Sequence, residues 1–300
     1  MLSANTFVKA TVPTGYSYRM NRTGTIRAID AYYRLRINAG SVRAVIGARR
    51  VMALFFVVLA SPHVTTPNGM GSIPSQLQGS ATVAQARHEL ERRGIEYSGK
   101  AFVENAGNGN TTVIALFIDA GMNINVKGDS GQTALIAAAS SGECPAVELL
   151  LNRGASVNAK DDDGATALHG ASGSVDDFKC VKALIDHGGD VNARTSTGRT
   201  PLVEVVLLPQ MPEVAEFIVS DAVAKISLLL DKGADINARY RGESTPLMRA
   251  AIGGNVRILK LLLKRGADPK AVNAQGQTAQ KLAIQYHNRE AAKLIEQAGG

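Results

Sequence analysis

A chain of 300 residues with 45% hydrophobic residues, 5% aromatics and no Trp must build its core from Leu, Ile, Val and Ala. That composition favours short, closely packed helices and excludes a ring-rich core. The formal charge of +7 is unevenly placed: residues 1–50 hold nine Lys or Arg against one acid, Asp30, a surplus of +8 that leaves −1 for residues 51–300. A basic nucleic-acid-binding face on the folded body is therefore not expected.

Taken in chain order, Arg43, Arg49 and Arg50 precede an apolar run at residues 51–60 (VMALFFVVLA), closed by Ser61 and Pro62. Its ten residues fall short of the roughly 20 that a membrane-spanning helix needs, so no stable span is expected. They suit the core of an export signal, with Val58 and Ala60 as the small residues before a cut after Ala60. The basic stretch ahead is long for that role, and Met20 offers a later start. Residues 1–60 thus read as a basic tail with a signal peptide, and the location as periplasmic or secreted. The alternative is a basic tail with a chance apolar run on a cytoplasmic protein.

Residues 61–80 are rich in Pro, Gly, Ser and Thr without periodic apolar positions, which reads as a flexible linker. Residues 81–93 follow with Val83, Ala86 and Leu90 at helical spacing and Gly94 as a stop. This segment is expected to be a capping helix laid on the first unit of the domain at 81–300.

Beyond it the chain repeats itself. The octapeptides QTALIAAA, ATALHGAS, RTPLVEVV, STPLMRAA and QTAQKLAI place Thr133, Thr166, Thr200, Thr245 and Thr278 at intervals of 33, 34, 45 and 33 residues. Gly121, Gly154, Gly188, Gly233 and Gly266 recur at the same intervals. Each Thr can cap the first free N–H groups of a helix, with Pro201 and Pro246 at the first helical position, where a missing N–H costs nothing. A second helix follows with apolar residues at i, i+3 and i+4, such as Leu259, Leu262 and Leu263, and ends at the repeating Gly. Asn125, Asn158, Asn192 and Asn237 then lead into loops that turn at Gly131, Gly164, Gly198 and Gly276.

Two motifs sharing one period resemble the ankyrin repeat, whose signature is T-P-L-H-x-A on a period of 33. The resemblance covers residues 96–300. It implies an all-α solenoid of stacked helix-turn-helix units with β-turn loops, here four full repeats between two degenerate capping ones. It also implies that His169 ties adjacent loops by hydrogen bonds, and that a partner protein binds along the loop tips and the concave face of first helices. Mapped onto this chain, the surface comprises Asp129, Asp161, Asp162 and Asp163 on the early tips, and Arg194, Arg199, Arg239, Tyr240 and Arg241 on the later ones.

The interval of 45 places 12 extra residues between the helices of one repeat, where Pro209 and Pro212 break the chain and the second helix is extended. Leu208, Met211 and Phe217 would form an apolar ridge beside the groove; an inserted helix folding back to hide that face is the competing expectation. Cys144 and Cys180 fall at helical positions of successive repeats, where packing as small apolar residues is expected rather than a disulfide. Neither has a CxxC partner, so no metal site is expected, and no cofactor. With no phosphate loop, nucleophile elbow or metal cluster, the expected function is non-catalytic: a scaffold, adaptor or inhibitor that binds another protein. A secreted effector that engages host proteins is the alternative.

Overall fold

The computed structural model describes residues 75–175, 178–208 and 216–299, the side chains of 75–81, 216 and 217 excepted. The basic tail, the apolar run, most of the expected linker and Met211 lie outside the described residues. Thirteen helices occur among them. Helix α1 is Ser75–Arg92, and six pairs follow: α2 Gly99–Gly107 with α3 Thr111–Asp119, α4 Ala134–Ser140 with α5 Cys144–Asn152, and α6 Ala167–Gly173 with α7 Phe178–Asp186. Then come α8 Pro201–Leu207 with α9 Glu216–Asp231, α10 Pro246–Gly253 with α11 Val256–Lys264, and α12 Ala279–Gln285 with α13 Arg289–Gln297.

From the second pair onward, the first helix begins where the threonines predict; α2 is capped by Ser98 instead. Thr133, Thr245 and Thr278 accept from the N–H three residues on, at 3.3 Å. Thr200 departs from the pattern: its buried hydroxyl has no partner, and α8 starts on Pro201 alone. The second helices α3, α5, α7, α9 and α11 close on the repeating glycine, all five with φ between 85° and 90°, a conformation that carries a Cβ penalty for any other residue.

Stacking forms two layers. The first helices α2, α4, α6, α8, α10 and α12 pack in succession, and the second helices α3, α5, α7, α9, α11 and α13 do the same behind them. Leu135, Leu168, Leu202 and Leu247, each two residues past its Thr, are all 1% exposed or less. Helix α1 covers the front by packing on α3, with Ala86 and Leu90 buried. Tyr97 stacks on Phe117 at 5.9 Å, and both Arg87 and the Tyr97 hydroxyl donate to the free Ala120 carbonyl that ends α3. Helix α1 reaches back to Ser75, into the stretch expected as linker; Pro74 is the last proline ahead of it, and Gln76, Leu77 and Gln78 are sound helix formers despite Gly79 behind them.

The asparagines do more than turn the chain. Asn125, Asn158, Asn192 and Asn237 each accept, at 2.8 to 3.0 Å, from a backbone N–H of the next repeat. Asn158 and Asn192 also donate to the Gly188 and Gly233 carbonyls at 3.0 and 2.9 Å. The loops are thereby laced together edge to edge.

The inserted residues extend the second helix as the spacing implies: α9 has 16 residues where α5, α7 and α11 have nine. Leu208 is 8% exposed, so it packs inward and is not part of an exposed ridge. Lys225 of α9 is fully buried, and its ammonium donates to the Ser174 carbonyl at 2.7 Å and the Ala171 carbonyl at 3.4 Å. It also faces Asp221 at 2.9 Å as an ion pair rather than an aligned hydrogen bond. A cation thus closes the C-terminal end of α6, where Ser174 lacks the left-handed glycine that follows α4 and α10.

Cys144 and Cys180 correct the sequence reading. They are joined as a disulfide between α5 and α7, with Cα atoms 5.1 Å apart. Stacking successive second helices puts equivalent positions side by side, at the separation a disulfide needs.

Candidate partner-binding surface

Loop tips and the open side of the first helices form the variable surface, and the expected site residues differ in how free they are. Asp129 is exposed and paired with Lys100 at 3.1 Å, a solvated pair. Asp161 serves its own turn: its carboxylate accepts from the Asp163 and Ala165 N–H groups at 3.0 and 2.8 Å. The side chains of Asp162 and Asp163 are exposed, while their backbones are fixed, Asp162 donating to Ser130 and Asp163 accepting from Ser196. A rigid acidic corner results.

The basic tips are built differently. Arg194 donates to the Arg239 carbonyl at 2.8 Å, and Arg239 to the Val272 carbonyl at 2.9 Å, so both guanidinium groups lash one loop to the next while staying exposed on their outer edges. Tyr240 is only 9% exposed, and its backbone lies against Gly198, where a Cβ would come within 3.4 Å. Its ring is withdrawn from the surface expected of it. Arg241 beside it is exposed at φ 22°, and Glu243 has φ 65° at the position held by glycine in the other loops. Two non-glycine residues in the left-handed region within three positions store strain at this tip. Phe217 lies in α9 with its side chain outside the described residues.

His169 takes the place the resemblance assigns it. Its Nδ1 accepts from the Thr166 N–H at 3.1 Å, so the proton sits on Nε2, which donates to the Arg199 carbonyl at 3.1 Å in the next repeat. Burial is the main cause that holds its pKa below the usual value of 6.5, against the pull of the Arg199 carbonyl. The folded state therefore binds fewer protons than the unfolded chain once pH drops below 6.5. Stability should fall as pH falls through that value toward the depressed folded pKa. Urea titrations across this range should show the slope in the wild type and a flatter one in His169→Asn; equal slopes would contradict the assignment.

Glu204 belongs to none of the repeating motifs. It lies on α8, four residues past Thr200, in the register where the preceding repeats have Ala137 and Gly170. It faces Arg199 at 3.2 Å, with side chains 33% and 15% exposed for Arg199 and Glu204. Burial pushes its pKa above 4.5, only partly offset by Arg199 and then Arg241. A group with a raised folded pKa contributes stability at low pH that is lost as pH rises through that pKa. At neutral pH this carboxylate is thus a cost, and Glu204→Gln should raise stability, read as a higher Tm. A lower Tm would show that the Arg199 pair outweighs burial.

Among the described residues, no three His, Cys, Asp or Glu come together as metal ligands, and no helix is long and apolar enough to cross a membrane. No curated protein matches the chain in sequence. Three family models do match it: one described as ankyrin repeats (3 copies) over residues 100–161, one as ankyrin repeat over 163–196, and one as ankyrin repeats (many copies) over 229–283. With two layers of stacked helices, a threonine start and a glycine stop in register with those matches, the chain belongs to the ankyrin-repeat family.

Proposed function

We propose that this protein is a non-catalytic binding module, a scaffold or inhibitor that holds another protein across its loop tips and the open side of its first helices. Ankyrin repeats are in general protein–protein interaction modules. The observation that carries the finer reading is the contrast between braced backbones and exposed charges. Asp162 and Asp163 project from a loop pinned on both sides, and Arg241 projects from a strained loop two repeats away. Pre-organised charge of both signs lowers the entropy cost of binding and selects a partner with complementary halves.

Affinity capture from the native cell should recover a protein that the wild type retains and that Asp162→Lys with Asp163→Lys loses. Asp161 is left unchanged because its carboxylate builds the turn. Equal retention by both proteins would discard the charged-tip reading.

The disulfide favours a location outside the reducing cytosol, periplasmic or secreted, in line with the apolar run at residues 51–60. The alternative function, a secreted effector acting on a host protein, shares that location. The origin of the captured partner separates the two.

A further inference from the structure

The two cysteines of this chain are its only ones, so they admit a single pairing and need no reshuffling among isomers. Their surroundings are unequal. Cys144 is the first residue of the nine-residue helix α5 and is half-buried, whereas Cys180 lies within α7 at 0% exposure. We propose that Cys144–Cys180 is a thiol–disulfide couple entered through Cys144, the sulfur at which a protein carrying an exchangeable disulfide or dithiol forms its mixed disulfide.

Relative exposure sets that direction: Cys144 is half-buried at the edge of α5, while Cys180 is enclosed. Burial of Cys180 closes the other sulfur to any protein-sized reagent, since exchange needs an in-line approach. During oxidation the Cys144 thiolate attacks one sulfur of the partner's disulfide, and the partner's other sulfur leaves as a thiolate. Cys180 then loses its proton and attacks the Cys144 sulfur, expelling the partner's second thiolate. Two electrons and two protons pass to the partner, which ends as a dithiol. Reduction by a protein dithiol is the reverse, with attack on Cys144 and Cys180 leaving.

The cross-link ties two second helices at a repeat boundary, while the loops of the same two repeats are tied separately by Asn158. Reduction would loosen the back of that boundary and leave the tips joined. This device stands apart from the charged-tip reading, so either can fail alone.

The test uses dithiodipyridine, a neutral disulfide chosen because Glu143 precedes Cys144 and would repel an anionic probe. On the folded full chain, Cys180→Ser should react about 100-fold faster than Cys144→Ser, whose remaining thiol waits for unfolding. Comparable rates, or a Cys180→Ser protein inert until denatured, would overturn the proposal. Should either variant fold poorly by circular dichroism, the reduced wild type serves instead. Brief iodoacetamide treatment followed by peptide mass spectrometry should mark Cys144 well before Cys180, and equal labelling would overturn the proposal as well.

Discussion

Lys225→Met should lower the unfolding free energy by about 3–5 kcal/mol, the usual consequence of removing one partner from a buried ion pair. The ammonium is wholly buried and meets three oxygens: Asp221 and the carbonyls of Ala171 and Ser174. Met matches the length of the side chain but answers none of them, leaving a carboxylate only 10% exposed without its counterion. Converting both members, Lys225→Met with Asp221→Leu, should recover much of the loss, because desolvation of the pair itself offsets most of its attraction. A double-mutant cycle from urea midpoints at unchanged m-value separates the two. A single-mutant loss below about 1 kcal/mol would mean that Lys225 does not anchor the extended helix α9.

Breaking the disulfide ranks beside it. The bridge closes a sequence separation of 36 residues, and a loop of that size restricts the unfolded chain by about 4 kcal/mol in the chain-entropy account. Cys144→Ser with Cys180→Ser, or wild type held in a phosphine reductant, should therefore unfold at clearly lower urea. Hydrogen exchange should show the extra opening concentrated in α5 and α7, because a repeat stack is stabilised through nearest neighbours. A reduced protein as stable as the oxidised one would remove the staple from the account.

The architecture was legible because every repeat must start, stop and hide one face, and those demands leave marks in single residues. Thr, Pro and Gly mark the helix ends, and Leu two residues past Thr133, Thr166, Thr200 and Thr245 marks the core. The extended helix α9 could be read from the interval of 45 between Thr200 and Thr245. The disulfide could not, since its formation depends on equivalent positions of stacked helices falling side by side, which a one-dimensional pattern of two lone cysteines does not express. Lys225 was hidden for a similar reason: a lysine within an amphipathic helix reads as solvated until the end of a different helix is found above it.

The candidate surface was legible as a set of loop tips and less so residue by residue. Tip positions follow from the period, so Asp162, Asp163 and Arg241 emerge where expected. Whether a tip residue faces outward depends on the neighbouring loop. Arg194 and Arg239 serve the stack with the same guanidinium groups they expose, Asp161 serves its own turn, and Tyr240 is withdrawn against Gly198. Glu204 could have been noticed by comparing registers, because a carboxylate stands where Ala137 and Gly170 leave room.

The central claim is that braced, oppositely charged tips recognise a protein. Its most direct test is the association rate of the captured partner as ionic strength rises. Electrostatic steering predicts a steep fall for the wild type, together with slower association and a flatter salt dependence when Asp162 and Asp163 are both changed to Lys. A rate indifferent to salt and to those substitutions, in a protein whose Tm is unchanged, would contradict it.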